Sequence, residues 1–174
     1  MRRNLQYFDI EIDKLTNSIE NIITGDRFQT DVSLIDKDDL KSITKKNGWL
    51  FNWKNEYKEA DRDIYKLTTV GNTDVIQGLI SITEKDDHVY MHLIESAPFN
   101  LGREKVYLGV PGNLIAFVCR ISFHRGFEGY VSFAAKSQLI EHYEKTLGAI
   151  CVGGQLMVIN TEAALKLLDK YYKT

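Results

Sequence analysis

Between Tyr107 and Ile115 the chain reads Tyr107-Leu108-Gly109-Val110-Pro111-Gly112-Asn113-Leu114-Ile115, a glycine-containing turn that feeds straight into an apolar helical stripe. A turn of this kind leaves backbone N–H groups free at a helix start. Those amides and the positive end of the helix dipole favour an anion. With no bulky side chain in the way a phosphate can approach closely, so a diphosphate suits the site. Pro111 fits the first helical position, where its missing N–H has no intrahelical partner. It withdraws one donor and leaves the amides of Gly109, Val110, Gly112, Asn113 and Leu114. The same residues also read as a tight, well-started helix with no ligand at all.

Other chemistry is sparse. His88, His92, His124 and His142 show no paired metal-ligand spacing, so no metal is expected. Cys119 and Cys151 sit in apolar surroundings, as buried free thiols in a reducing compartment do. A formal charge of −2 exerts no global pull on nucleic acid or on an anionic membrane. The apolar runs are too short and too interrupted to span a bilayer. Acidic residues rather than an apolar signal region follow Met1-Arg2-Arg3-Asn4, which makes the cytoplasm the expected location.

The elements that must hold the turn follow from periodicity. Leu15, Ile19, Ile22 and Ile23 at helical spacing predict an amphipathic helix over Leu5 to Thr24, stopped at Gly25-Asp26. It forms an extension over residues 1–27, ahead of a domain over residues 28–174, and is a natural oligomerisation element for a homodimer. Phe28 to Ile35 alternates as a strand, and Asp36-Lys37-Asp38-Asp39 opens a short helix. Trp49-Leu50-Phe51-Asn52-Trp53 is an aromatic cluster, followed by a charge-dense loop to Asp63. Ile64 to Val70, Val75 to Thr83 and Val89 to Glu95 predict an antiparallel meander. A helix from Pro111 to His124, a strand from Tyr130 to Ala134, a helix from Ser137 to Thr146, a strand from Gln155 to Asn160 and a helix from Thr161 to Tyr172 complete the chain. The order describes an α/β or α+β domain with a mixed sheet.

Two stretches then carry a resemblance. Gly109-Val110-Pro111-Gly112-Asn113-Leu114-Ile115 and His142-Tyr143-Glu144-Lys145-Thr146-Leu147-Gly148-Ala149 are similar, in content and separation, to two signatures of the GNAT N-acetyltransferase family. These are a turn Arg/Gln-x-x-Gly-x-Gly/Ala before a helix, and a later helix ending Tyr-Glu-Lys-x-Gly-Phe. Asp31 to Leu40 looks like the family's first strand and helix. The chain departs from the pattern at Val106, where the turn has its Arg or Gln, at Pro111 in place of the last glycine, and at Ala149 in place of the aromatic. The connection from Pro98 to Gly109 looks longer than usual, and Arg103 or Lys105 within it is the replacement charge.

The resemblance implies a GNAT-type acyl-CoA N-acyltransferase fold with an extra N-terminal helix. It implies direct transfer of an acetyl group from acetyl-CoA to an amine of a small molecule or peptide, without a metal. Cofactor contacts fall on Ser96, Ala97, Gly109, Val110, Gly112, Asn113, Leu114 and Lys136. Tyr143 matches the acid that protonates the departing thiolate, Glu95 is the base, and Trp49 and Trp53 wall the acceptor pocket. Each role has a structural alternative. Leu139, Tyr143 and Leu147 recur every four residues, so the phenol also reads as sheet packing. Glu95 also reads as a solvated strand end, and the tryptophans as core. Alternation along the strand places His92 out of phase with Leu93 and Glu95, facing away. Two other functions stay open: a catalytically weak CoA-binding or protein-interaction module, and a toxin component that acetylates aminoacyl-tRNA, against which the acidic balance speaks.

Overall fold

The computed structural model describes residues 6–15 and 18–172. The first ten belong to no helix or strand and make one bridge at Phe8, and the rest run β1 (Ile19–Asn21), β2 (Arg27–Phe28), β3 (Thr30–Leu34), α1 (Trp53–Lys58), β4 (Asp63–Thr69), β5 (Gly78–Glu84) and β6 (Val89–Ser96). They continue through β7 (Tyr107–Leu108), α2 (Val110–His124), β8 (Val131–Ala134), α3 (Ile140–Leu147), β9 (Ile150–Gly153), β10 (Leu156–Ile159) and α4 (Thr161–Tyr171). Short 3-10 turns lie at Asp39–Lys41, Lys45–Asn47, Pro98–Asn100 and Ser137–Leu139.

The main sheet has seven strands in the order β3-β4-β5-β6-β8-β10-β9. Each pair is antiparallel except β6 with β8. That parallel pair is joined by the crossover through α2, as parallel neighbours require. A small sheet β2-β1-β7 closes over the start of α2. On β5, alternation sends Ile80 and Ile82 to the face covered by Leu114, Ile115 and Val118 of α2. Leu79 points to the opposite face, against Trp49, Trp53, Ile64 and Leu93.

The meander, α2, β8, α3, β10 and α4 lie where periodicity placed them, with boundaries shifted by a few residues. Four expectations change. The helix over Leu5–Thr24 is not formed among its described residues; Leu5, Thr16 and Asn17 lie outside them, as do Met1 to Asn4, Lys173 and Thr174. Phe8 and Ile12 are buried, Ile10 is half-buried and the acidic residues between them are exposed, a period of two that suits a strand. Ile22 and Ile23, which a helix would turn inward, are exposed in the Asn21–Asp26 turn. The charge-dense loop is half helix, since the Asn52 side chain caps α1 by accepting from Asn55 N–H at 3.1 Å. β9 is an additional edge strand with every residue exposed. Cys151 lies on it and is exposed, whereas burial pushes the enclosed Cys119 thiol up to about 12.

Among the described residues no helix is long and apolar enough to cross a membrane.

Candidate functional site

β6 and β8 pair only from Val89 with Val131 to Met91 with Phe133, and beyond that point the two strands part. The opening runs from the end of β6 past α3 to the N-terminus of α2. Its chemistry-bearing groups are few: the Tyr143 hydroxyl and His142 imidazole of α3, the peptide edge at Ala134–Lys136, and the Gly109 amide at the start of α2.

The start of α2 is set by Gly109, whose φ of 99° and ψ of 0° lie in the left-handed region and turn the chain out of β7 into the helix. Its N–H does not point to solvent. It donates to Asp13 Oδ1 at 3.0 Å, and Lys105 pairs with Asp13 Oδ2 at 3.2 Å. A carboxylate thus sits on the amide that the turn offers to an anion. Val110, Gly112 and Leu114 are buried. A Cβ on Gly112 would lie 1.9 Å from the Tyr171 hydroxyl and 3.2 Å from the Lys14 carbonyl, so this glycine is required by close packing. The Asn113 amide donates to Ser18 O at 3.2 Å and to Gly109 O at 2.7 Å.

Tyr143 is fully buried, and its ring packs edge-on against Phe133, with centroids 5.3 Å apart. Core packing and an aimed hydroxyl therefore coexist. The O–H donates to Ile10 O at 2.5 Å and accepts from Ile10 N–H at 3.2 Å. Burial drives the phenol above its ordinary value. The Ile10 hydrogen bond opposes that rise, and the Asp9 and Glu11 carboxylates add to it. Beside it, His142 Nε2 accepts from Ile12 N–H at 2.8 Å, which requires an unprotonated Nε2. Lys136 N–H donates to Phe8 O at 3.0 Å, and its ammonium meets Asp9 at 2.5 Å.

Glu95 is buried rather than a solvated strand end. Oε2 accepts from Leu50 N–H at 2.6 Å, and Oε1 from Phe51 N–H at 3.3 Å and from the Trp53 indole N–H at 2.8 Å. A carboxylate has about four lone-pair sites, so one on Oε2 is left. Trp49 and Trp53 are both core residues, as their alternative reading had it. Leu50 and Phe51, beside them in sequence, instead line a cavity of about 110 Å³ with Tyr7, Glu95, Ser96 and Leu101. Ala97 N–H donates to Gln77 O at 2.9 Å and lies under the strand end.

His92 does not face away from Glu95. Ser81 pairs with Leu93 and Ile82 with Met91, so His92 is the extra residue of a β-bulge. The bulge resets alternation and puts His92 on the face of Leu93 and Glu95. There its Nε2 lies 2.7 Å from Thr83 Oγ1, which donates to Asp61 O. A larger cavity of about 600 Å³ lies by Asp86, His88, Phe127, Tyr130 and Leu156, at the end of β6 and β8 away from the opening.

Glu95→Gln replaces one acceptor oxygen with an NH2 that meets an N–H head on. The expected cost is about 1–3 kcal/mol, read as a lower midpoint in urea unfolding. An unchanged midpoint rules out a charged acceptor role for this side chain.

No protein-family model matches this chain, and no curated protein matches its sequence. Solved structures do match its fold. The ribosomal-protein-S18-alanine N-acetyltransferase from Escherichia coli superposes with a TM-score of 0.50 at 14% identity, over 76% of this chain and 95% of that one. The spermidine N-acetyltransferase from Vibrio cholerae, in complex with CoA and spermine, gives 0.52 at 15%, over 79% and 98%. AtaTR bound with acetyl-CoA gives 0.52 at 14%, over 80% and 98%. The chain has the GNAT acyltransferase fold: a mixed seven-stranded sheet with helices on its faces.

Proposed function

We propose that this chain is an acetyl-CoA-dependent N-acetyltransferase acting on an amine. The observation that carries the reading is the groove itself. Where β6 and β8 part, a tyrosine hydroxyl stands at one end and the amide of a left-handed glycine at a helix N-terminus stands at the other. Both groups lie in one opening and are served by one extended chain, as a long thioester with a diphosphate tail would require.

The walls suit that co-substrate, because each stand-in they hold has matching chemistry. A carboxylate takes the Gly109 amide and the Lys105 ammonium, a peptide takes the edge at Ala134–Lys136, and a carbonyl takes the Tyr143 proton. Acetyl-CoA supplies an acyl group activated as a thioester. Gly109 and Lys105 bind the diphosphate, with Lys105 in the role the departure at Val106 leaves open. Ala134 O and Lys136 N–H orient the amides of the arm. The Tyr143 hydroxyl, kept neutral by burial, holds its proton for the departing sulfur. Glu95 fixes the Leu50–Trp53 loop as the acceptor wall, and its remaining lone pair on Oε2 accepts a proton from the amine.

Acetyl-CoA binding by calorimetry and thiol release over a panel of amines test this. The expected result is saturable binding together with amine-dependent release of CoA. Absence of binding at millimolar acetyl-CoA, both in this chain and in Asp13→Ala, which frees the Gly109 amide, overturns the reading. The filled groove favours a second one, a GNAT-fold module that works through protein contacts, and acetyl-CoA binding without turnover on any amine would support it.

A further inference from the structure

The Tyr143 hydroxyl, the His142 imidazole, the Ala134–Lys136 edge and the Gly109 amide are already engaged, and their partners all come from one short piece of the same chain. Phe8 forms a parallel bridge with Ala135, one residue past β8, with its N–H donating to Ala134 O at 2.7 Å and its carbonyl accepting from Lys136 N–H at 3.0 Å. Two residues on, Ile10 takes both hydrogen-bonding faces of the Tyr143 hydroxyl. Two further on, Ile12 N–H donates to His142 Nε2. Asp13 then caps Gly109 and Lys105, and the Lys14 carbonyl accepts from the Tyr171 hydroxyl at 3.2 Å. Alternate residues therefore carry the hydrogen bonds, as along one edge of a strand.

The side chains fill the same space. Phe8 is 2% exposed and stacks on Phe133 with centroids 4.8 Å apart. Ile12 is 7% exposed. Two buried hydrophobic side chains, a backbone bridge at Phe8, side-chain hydrogen bonds at Ile10 and Ile12 and a charged terminus seat this segment in the groove, as a loop resting on the surface would not be.

We propose that residues 6–15 are a built-in competitor of acyl-CoA. The strand Phe8–Asp13 and the pantetheine diphosphate exclude each other from one groove, and the chain is self-inhibited until the strand is drawn out. The proposal rests on the acetyltransferase reading above. Asp13 stands for the diphosphate at the helix N-terminus, and the Phe8 and Ile10 peptides stand for the amides and carbonyl of the arm and thioester. Because the occupant is tethered, its effective concentration is high and constant. The apparent affinity for acyl-CoA is the intrinsic one reduced by the fraction of molecules whose groove is open. Anything that holds residues 6–15 outside the groove, such as a partner that binds them as a strand, switches the enzyme on.

Amide hydrogen exchange on the full chain, with and without saturating acetyl-CoA, tests the exclusion without altering the protein. Acetyl-CoA is expected to speed exchange at Phe8, Ile10 and Ile12 at least tenfold and to leave β4 and β5 unchanged. In parallel, Asp13→Ala removes the anchor at Gly109 and is expected to tighten acetyl-CoA binding about tenfold, the weight of one charge-assisted hydrogen bond on the open population. The proposal is overturned, with the acetyltransferase reading intact, if acetyl-CoA binds while those three amides stay protected, or if Asp13→Ala leaves the affinity unchanged. If neither protein binds acetyl-CoA, the acetyltransferase reading fails and the competitor role fails with it.

Discussion

Trp53→Ala is expected to lower the unfolding free energy by about 3–5 kcal/mol, a large share of the roughly 5–15 kcal/mol that holds an ordinary domain folded. Trp53 is 1% exposed and belongs to the cluster of Trp49, Ile64, Leu79 and Leu93 between α1 and the sheet. Truncation opens a cavity there and also takes the indole donor from Glu95, 2.8 Å away. Two losses of different kind are therefore combined, and a second variant separates them. Trp53→Phe keeps most of the volume and forfeits the N–H, so it should cost about 1–3 kcal/mol. Urea unfolding of both variants is the measurement. A loss below about 1 kcal/mol for Trp53→Ala means that this face collapses around the gap and that Glu95 is held well enough by Leu50 and Phe51.

Tyr143→Phe should move binding and turnover in opposite directions. The hydroxyl is the grip on Ile10 from both sides, and its removal leaves the Ile10 N–H and carbonyl without partners inside the groove. The seated strand loses stability relative to the withdrawn one, so acetyl-CoA should bind at least as tightly as to the parent chain. Turnover should fall by about 10²-fold or more, the usual weight of a proton donor. Calorimetry set beside steady-state thiol release separates the two effects. Equal turnover in the variant removes the phenol from the chemistry, and weaker acetyl-CoA binding contradicts its hold on the strand.

The same substitution has a signature in alkali. The folded phenol ionises above its unfolded value near 10. The stability this contributes is fully present below pH of about 10 and is lost as pH rises through the folded value. The melting temperature of Tyr143→Phe should therefore fall less steeply than that of the parent above pH of about 10.

The resemblance located the Gly109 turn and Tyr143 but missed what they touch. Glu95 was identified on its strand and its neighbours were not, because its donors come from a loop that precedes it by more than forty residues. The alternation Phe8-Asp9-Ile10-Glu11-Ile12-Asp13 was the sequence sign of a seated strand. The helical spacing of Leu15, Ile19, Ile22 and Ile23 competes with that sign, although only Ile19 of those four is fully buried. The inverted phase of His92 had no local sign at all, because a bulge is made by the register of the neighbouring strand.

Sequence alone determined the elements whose stability is local: the stripe of α2 and its proline-led start, the strand runs of β4 to β6, the amphipathic run of α4, and the signature ending at Gly148. In each, neighbours at fixed spacing share one face, and that spacing is written in the chain. Only the tertiary structure decided what fills the groove. The partners of Ile10 and Gly109 lie 133 and 96 residues away, and no periodicity encodes a contact of that range. Folding brings the helix-start amide and the buried phenol to one opening, and the strand closest to hand that satisfies both is the chain's own.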